Sequence, residues 1–139
     1  TAFLFNSLIM AKKIIKTESA PAPVGPYNQA TQWGDLLFIS GQIAIIPENN
    51  TILEGTIEEE THQVLKNIGA ILNAAGMDYP DVLKCSVFVK DMHLFGRINA
   101  VYAEYFGEDT APARELVQVS ALPKFVNIEI SAIAAKKAS

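Results

Sequence analysis

Cysteine is nearly absent from this chain. Cys85 stands alone among 139 residues, which excludes an internal disulfide. Histidine is almost as scarce: His62 and His93 share no ligand spacing, and with one cysteine they fall short of a four-ligand zinc site unless carboxylates join them. Basic residues are few. Eleven Lys and Arg against 15 Asp and Glu leave a formal charge of −4, with no basic run longer than Lys12-Lys13 or Lys136-Lys137. A surface that neutralises phosphates needs the opposite balance, so the composition argues against a nucleic-acid partner. No apolar run approaches the length of a membrane span. The mostly apolar stretch Thr1 to Ile9 lacks the charged start and small-residue cleavage pattern of a secretion signal. Ahead of Met10-Ala-Lys-Lys13, residues 1–9 read as an expression or upstream-translation remnant. That leaves one domain over residues 10–139 and a cytoplasmic protein as the expectation.

What is present suits a globular domain with a real core: half the residues are hydrophobic and 19% are charged. Lys13 to Thr17 reads as a short strand. Glu18 to Pro26 contains Pro21, Pro23, Gly25 and Pro26, which keeps it out of a sheet centre and makes it a loop. Asn28 to Trp33 and Leu36 to Ile43 read as strands joined by a Gly34-Asp35 turn. The second strand carries Ser40-Gly41-Gln42, and a glycine there signals a bulge or a close approach by another group. Pro47 to Thr51 reads as a loop.

Thr56-Ile-Glu-Glu59 is a capping box for a helix running to Ala75, with Gly76 as its stop. Val64, Ile68, Ile71, Leu72 and Ala75 form the buried stripe, and Glu58 to Glu60 read as a solvated first turn. Val82 to Lys90 alternates as a strand, with Cys85, Val87 and Val89 on one face. Cys85 there is a small buried hydrophobe. Asp91 is placed to cap a second helix from Met92 to about Phe106, striped by Phe95, Ile98, Tyr102 and Tyr105. Val126 to Ala134 is the last strand, with Ile128, Ile130 and Ala132 facing one way and Asn127, Glu129 and Ser131 the other.

Thr110 to Lys124 is the stretch with the most chemistry. Pro112 fixes the backbone before Arg114, and Pro123 ends the extended run. Arg114 stands at a strand entrance on the face of Leu116, Gln118 and Ser120. A guanidinium there fits a two-point grip on a carboxylate, and equally a solvated or structurally paired arginine. Asn99 borders the helical stripe between Phe95 and Tyr102, suited either to capping a loop or to lining a polar pocket. Tyr27, on the stiff Gly-Pro backbone, fits a packing lid over the core edge.

The element order points to an α+β fold: a mixed sheet with two helices packed on one face. Apolar residues on both strand faces (Phe38 beside Ile39, Val87 beside Phe88) leave a second apolar surface that suits association between subunits.

Six motifs in order, Ala22-Pro-Val-Gly-Pro-Tyr27, Phe38-Ile-Ser-Gly-Gln42, Val87-Phe-Val-Lys-Asp91, Asn99-Ala-Val-Tyr102, Ala111-Pro-Ala-Arg114 and Leu122-Pro-Lys124 with Ile128-Glu-Ile130, make the chain resemble the RidA/YjgF family of reactive-intermediate imine deaminases. The resemblance spans Met10 to Ala134. It implies a chorismate-mutase-like homotrimer with clefts between subunits. It implies hydrolysis of 2-imino acids (2-iminobutanoate, 2-iminopropanoate) to 2-keto acids and ammonia, with no metal or organic cofactor. By the same resemblance Arg114 binds the substrate carboxylate and Glu129 positions water. Tyr27, Ser40, Gly41, Asn99 and the backbone of Leu116, where some relatives have cysteine, complete the substrate site. The alternatives within this fold are a non-catalytic binder of small 2-keto acids and a regulatory or chaperone-like protein. Some members are proposed as ribonucleases, which the acidic balance and the lack of a histidine pair oppose.

Overall fold

Strict alternation of apolar side chains decides which face of the sheet is buried. In the computed structural model, which describes residues 11–137, the strands are β1 (Lys13–Ile15), β2 (Ala30–Trp33), β3 (Leu36–Gln42), β6 (Val82–Val89), β7 (Ala113–Gln118) and β8 (Ile128–Ala135). They form one sheet in the order β1-β2-β3-β8-β6-β7, antiparallel except for the parallel pair β6–β7. A small hairpin of β4 (Ile45–Ile46) and β5 (Thr51–Ile52) stands apart from it. Two helices, α1 (Ile57–Ala74) and α2 (Phe95–Tyr105), cover one face. This is the α+β architecture expected from the element order. The reading of residues 1–9 as a remnant lies outside the described residues.

Leu37, Val87, Val89, Ile128 and Ile130 are fully buried beneath Val64, Leu65, Ile68, Ile71 and Leu72 of α1. Burial of each such side chain contributes about 1.5–3 kcal/mol, so this layer is the main source of stability. Among the described residues no helix covers the opposite face. Phe38 is 43% exposed there opposite its half-buried partner Ile133, and half-buried Phe88 lies farther along the same face opposite Glu129.

Local signals placed the element ends. Gly34 (φ +58) closes the β2–β3 turn and Gly76 (φ +75) ends α1, both in the left-handed region that favours glycine. The Thr56 hydroxyl accepts from the Glu59 N–H at 3.2 Å while the Glu59 carboxylate accepts from the Thr56 N–H at 3.0 Å. Such a cap is worth about 1 kcal/mol.

Four expectations need correction. The Pro47–Thr51 loop is shorter than expected, because Thr51 pairs with Ile46 in the hairpin. The second helix begins at Phe95: Asp91 accepts from the His93 N–H at 2.9 Å and tightens Met92–Leu94 into a 3-10 turn instead. The last strand starts at Ile128: Lys124 and Phe125 take left-handed backbone (φ +55 and +56) just before it, and Asn127 meets the sheet through its carbonyl, which accepts from the Lys90 N–H at 3.0 Å. The first turn of α1 is not wholly solvated. Glu60 is 4% exposed and accepts from the Asn127 backbone N–H (2.9 Å) and side-chain amide (2.8 Å). Glu58 meets Arg97 of α2 through two bonds of 2.7 and 2.8 Å. These carboxylates clamp α1 to α2 and to the entry of β8.

Gly69 in the middle of α1 is a packing requirement. The Tyr79 hydroxyl crosses it to donate to the Leu65 carbonyl at 2.8 Å, and a Cβ on residue 69 would lie 2.1 Å from that hydroxyl oxygen. Gly69→Ala should therefore destabilise by about 1–3 kcal/mol through overpacking, against a helix-propensity gain of about 1 kcal/mol. Urea unfolding checks it. Tyr79→Phe in the same chain should recover part of the loss, since it removes the nearest atom.

Candidate active site

The insertion in β3 builds the first half of the site. Ile39 pairs with Ala132 and Gln42 with Ile130, so three steps on β3 meet two on β8, and Ser40-Gly41 carries the bulge. The bulge brings the Gly41 backbone against the Glu129 carboxyl. A Cβ on residue 41 would stand 2.8 Å from Glu129 Cδ and 2.9 Å from Oε2. Both readings of that glycine, bulge and close approach, hold together. Ser40 is pinned at both ends: its hydroxyl donates to the Asn28 carbonyl at 2.6 Å and its N–H to the Gln29 carbonyl at 2.9 Å.

Glu129 and Ser40 line a cleft of about 410 Å3 with Tyr27, Gly41, Gln42 and Lys124. Its remaining wall is largely apolar, from Pro21, Ala22, Ile43 and Ile45. Burial in that wall raises the Glu129 carboxyl above the usual carboxylate range, because the charged form loses hydration. Tyr27 is not a lid over the core: its ring is 46% exposed at the cleft rim, and its hydroxyl accepts from the Val24 N–H at 3.3 Å.

Sequence reasoning missed Gln29, which organises this rim. It is 4% exposed. Its carbonyl oxygen accepts from the Thr17 N–H at 2.8 Å, and its amide donates to the Thr17, Ala20 and Pro21 carbonyls at 3.0, 3.2 and 2.9 Å. One buried amide thus satisfies the proline-rich loop, which cannot join a sheet. No local signal separates it from an exposed strand glutamine. Lys124 of the Leu-Pro-Lys motif reaches the same cleft from its left-handed turn, a placement no local signal announces.

The second half of the site sits on the helix side of the sheet. Arg114 pairs in register with buried Cys85, so its side chain shares the covered face. Nη1 donates to Asn99 Oδ1 at 2.7 Å, and the guanidinium carbon lies 4.7 Å from the Tyr102 ring centroid and 5.8 Å from that of Phe95. Among the described residues no carboxylate forms an ion pair with Arg114. Leu116, two residues on, packs against the same core and pairs with Val87. Cys85 is a buried hydrophobe as expected, and burial pushes its thiol up. The described residues contain no cluster of three metal-ligating side chains.

The two halves do not converge within one chain. Glu129 pairs with Phe88 on the uncovered face, whereas Arg114 lies on the covered face of the edge strand β7. Two strand spacings across and three residues along put their Cα atoms about 14 Å apart, with side chains pointing to opposite sides. Tyr27, Ser40, Gly41 and Glu129 form one group; Asn99, Arg114 and Leu116 form the other.

Residues 17–136 match the family model described as Endoribonuclease L-PSP. A RutC family protein of Pyrococcus horikoshii is 56% identical over 126 residues, covering 91% of this chain and 99% of its own length. A 2-iminobutanoate/2-iminopropanoate deaminase of Mus musculus is 45% identical over 123 residues, covering 88% of this chain and 90% of its own. The solved structure of E. coli TdcF with bound serine has a TM-score of 0.84 at 41% identity, covering 90% of this chain and 99% of that one. None of the described helices is long and apolar enough to cross a membrane.

Proposed function

This chain belongs to the endoribonuclease L-PSP family, the YjgF/RidA group, and from that premise we propose that it hydrolyses 2-imino acids to 2-keto acids and ammonia. The observation that carries the reading is Arg114: a half-buried cation with no carboxylate partner among the described residues and only Nη1 of its fork engaged. An uncompensated cation held by packing is a ready site for a substrate carboxylate. The small cleft around Glu129 supports the chemistry.

In this reading the substrate reacts as its iminium: water adds to the carbon while Glu129 accepts a water proton, giving a neutral tetrahedral carbinolamine. The same carboxyl returns the proton to nitrogen. The C–N bond then breaks, ammonia leaves, and the hydroxyl proton passes to the Glu129 carboxylate as the keto group forms. The departing ammonia takes that proton from the carboxyl as ammonium. An iminium carbon is already electrophilic, so positioning supplies most of what is needed. Neither histidine lines the cleft, which gives the ribonuclease reading no acid–base pair.

The reading requires a second copy of the chain. A 2-imino acid is too small to reach from Glu129 to Arg114 of the same chain, so the two groups meet only across an interface. The uncovered face with Phe38, Phe88 and Ile133 supplies an apolar surface for it, and a closed trimer with three clefts is the assembly we propose. Sedimentation should give a mass of three chains. Imine released by a serine/threonine dehydratase and trapped by semicarbazide should decay faster with the protein present. No acceleration over buffer, alongside measurable 2-ketobutyrate binding by calorimetry, would replace the enzyme with a carboxylate-binding module.

A further inference from the structure

Phe95, Asn99 and Tyr102 stand at positions i, i+4 and i+7 of α2, a spacing that lines them along one face. All three point at Arg114. Asn99 holds Nη1, Tyr102 lies 4.7 Å beneath the guanidinium carbon and Phe95 flanks it at 5.8 Å. Tyr102 is 7% exposed, so the ring cannot follow the guanidinium if the latter moves, whereas Phe95 is 41% exposed and free to adjust. The aromatic face carries negative potential, and its attraction for a cation grows as water is excluded. The Tyr102 hydroxyl is buried beside the Cys85 thiol, and among the described residues it has no hydrogen-bond partner of good geometry. The ring, not the hydroxyl, is therefore what this position contributes to Arg114.

We infer that Tyr102 is a positioning residue that aims Arg114. With Nη1 fixed on Asn99 and the guanidinium plane set by the Tyr102 ring, the Nε and Nη2 edge is left to take both oxygens of a carboxylate. This rests on the reading of Arg114 as the carboxylate site. It also gives Asn99 a definite part: its carbonyl oxygen is committed to Arg114, and only its amide nitrogen remains for ligand.

The test is calorimetric titration of the full-length protein with 2-ketobutyrate and with 2-oxobutanamide, which lacks the carboxylate. Tyr102→Leu should weaken 2-ketobutyrate binding about tenfold and leave the amide unchanged, collapsing the preference between them. Tyr102→Phe should restore 2-ketobutyrate affinity to within about threefold of the unaltered protein. Val101→Ala, a buried truncation next to it on α2, serves as the control for lost packing and should keep the preference. The inference is overturned if Tyr102→Leu keeps the preference, if Tyr102→Phe is as weak as Tyr102→Leu, or if Val101→Ala loses the preference equally. Arg114→Ala separates the two levels. Should it bind 2-ketobutyrate normally, the carboxylate reading itself fails; should it lose binding while Tyr102→Leu does not, only the positioning role fails.

Discussion

Arg114→Lys is expected to lose imine hydrolysis almost as completely as Arg114→Ala. Lysine keeps the charge but offers a point donor in place of a planar fork that has an amide on one nitrogen and a ring beneath, and that leaves Nε and Nη2 for the proposed carboxylate. Loss of a desolvated charge-assisted pair costs about 2–5 kcal/mol, roughly 30-fold to several thousandfold in kcat/KM. Misplacing the imine carbon relative to water on Glu129 adds to the defect. Fold and assembly should survive, because no carboxylate of the described chain depends on Arg114. Melting temperature, sedimentation and imine hydrolysis should be measured on both variants. Two stable, assembled, inactive proteins are the expected result. A dissociated or strongly destabilised Arg114→Ala would make the arginine a structural residue.

Gly41→Ala should lower activity far more than the addition of one methyl group suggests. The added methyl would stand 2.8 Å from Glu129 Cδ, inside any tolerated contact. What yields is the end of a flexible side chain, so the fold should change little while the carboxyl is displaced from the cleft. Activity should fall by about 10²-fold, with a melting temperature close to that of the unaltered protein. Glu129→Gln removes the proposed proton acceptor outright and should cost about 10²- to 10⁴-fold. The two variants differ in their pH profiles. Burial raises the Glu129 carboxyl, so the active carboxylate is lost as pH falls through that raised value, and the acidic limb of kcat/KM should begin above the usual carboxylate range. Gly41→Ala, which releases the group toward water, should move that limb to lower pH. In Glu129→Gln it should be missing. An acidic limb that persists in Glu129→Gln would assign the proton acceptor to another group.

Elements whose causes are local can be read directly from the residues. Thr56 and Glu59 reach each other across one turn, Gly34 and Gly76 take backbone that other residues resist, and Ile128, Ile130 and Ala132 alternate with Glu129 and Ser131. Capping, left-handed turns and the period of two act over a few residues, so they can be read without knowing what packs above. The bulge at Ser40-Gly41 was legible for the same reason: glycine inside a strand already asks for irregular geometry. Where tertiary structure decided, the cause was a partner far along the chain. Glu60 looks like its neighbours Glu58 and Glu59 until Asn127, 67 residues later, satisfies it and allows its burial. Gln29 is an ordinary strand amide until the loop back to Thr17 offers it four backbone groups. The family motifs put Arg114 and Glu129 in one catalytic account. Sheet order and register alone reveal that they face opposite ways, since the side a residue takes depends on which strands neighbour it and which face the helices cover. Those are properties of pairings distant in sequence, and no window of local sequence contains them.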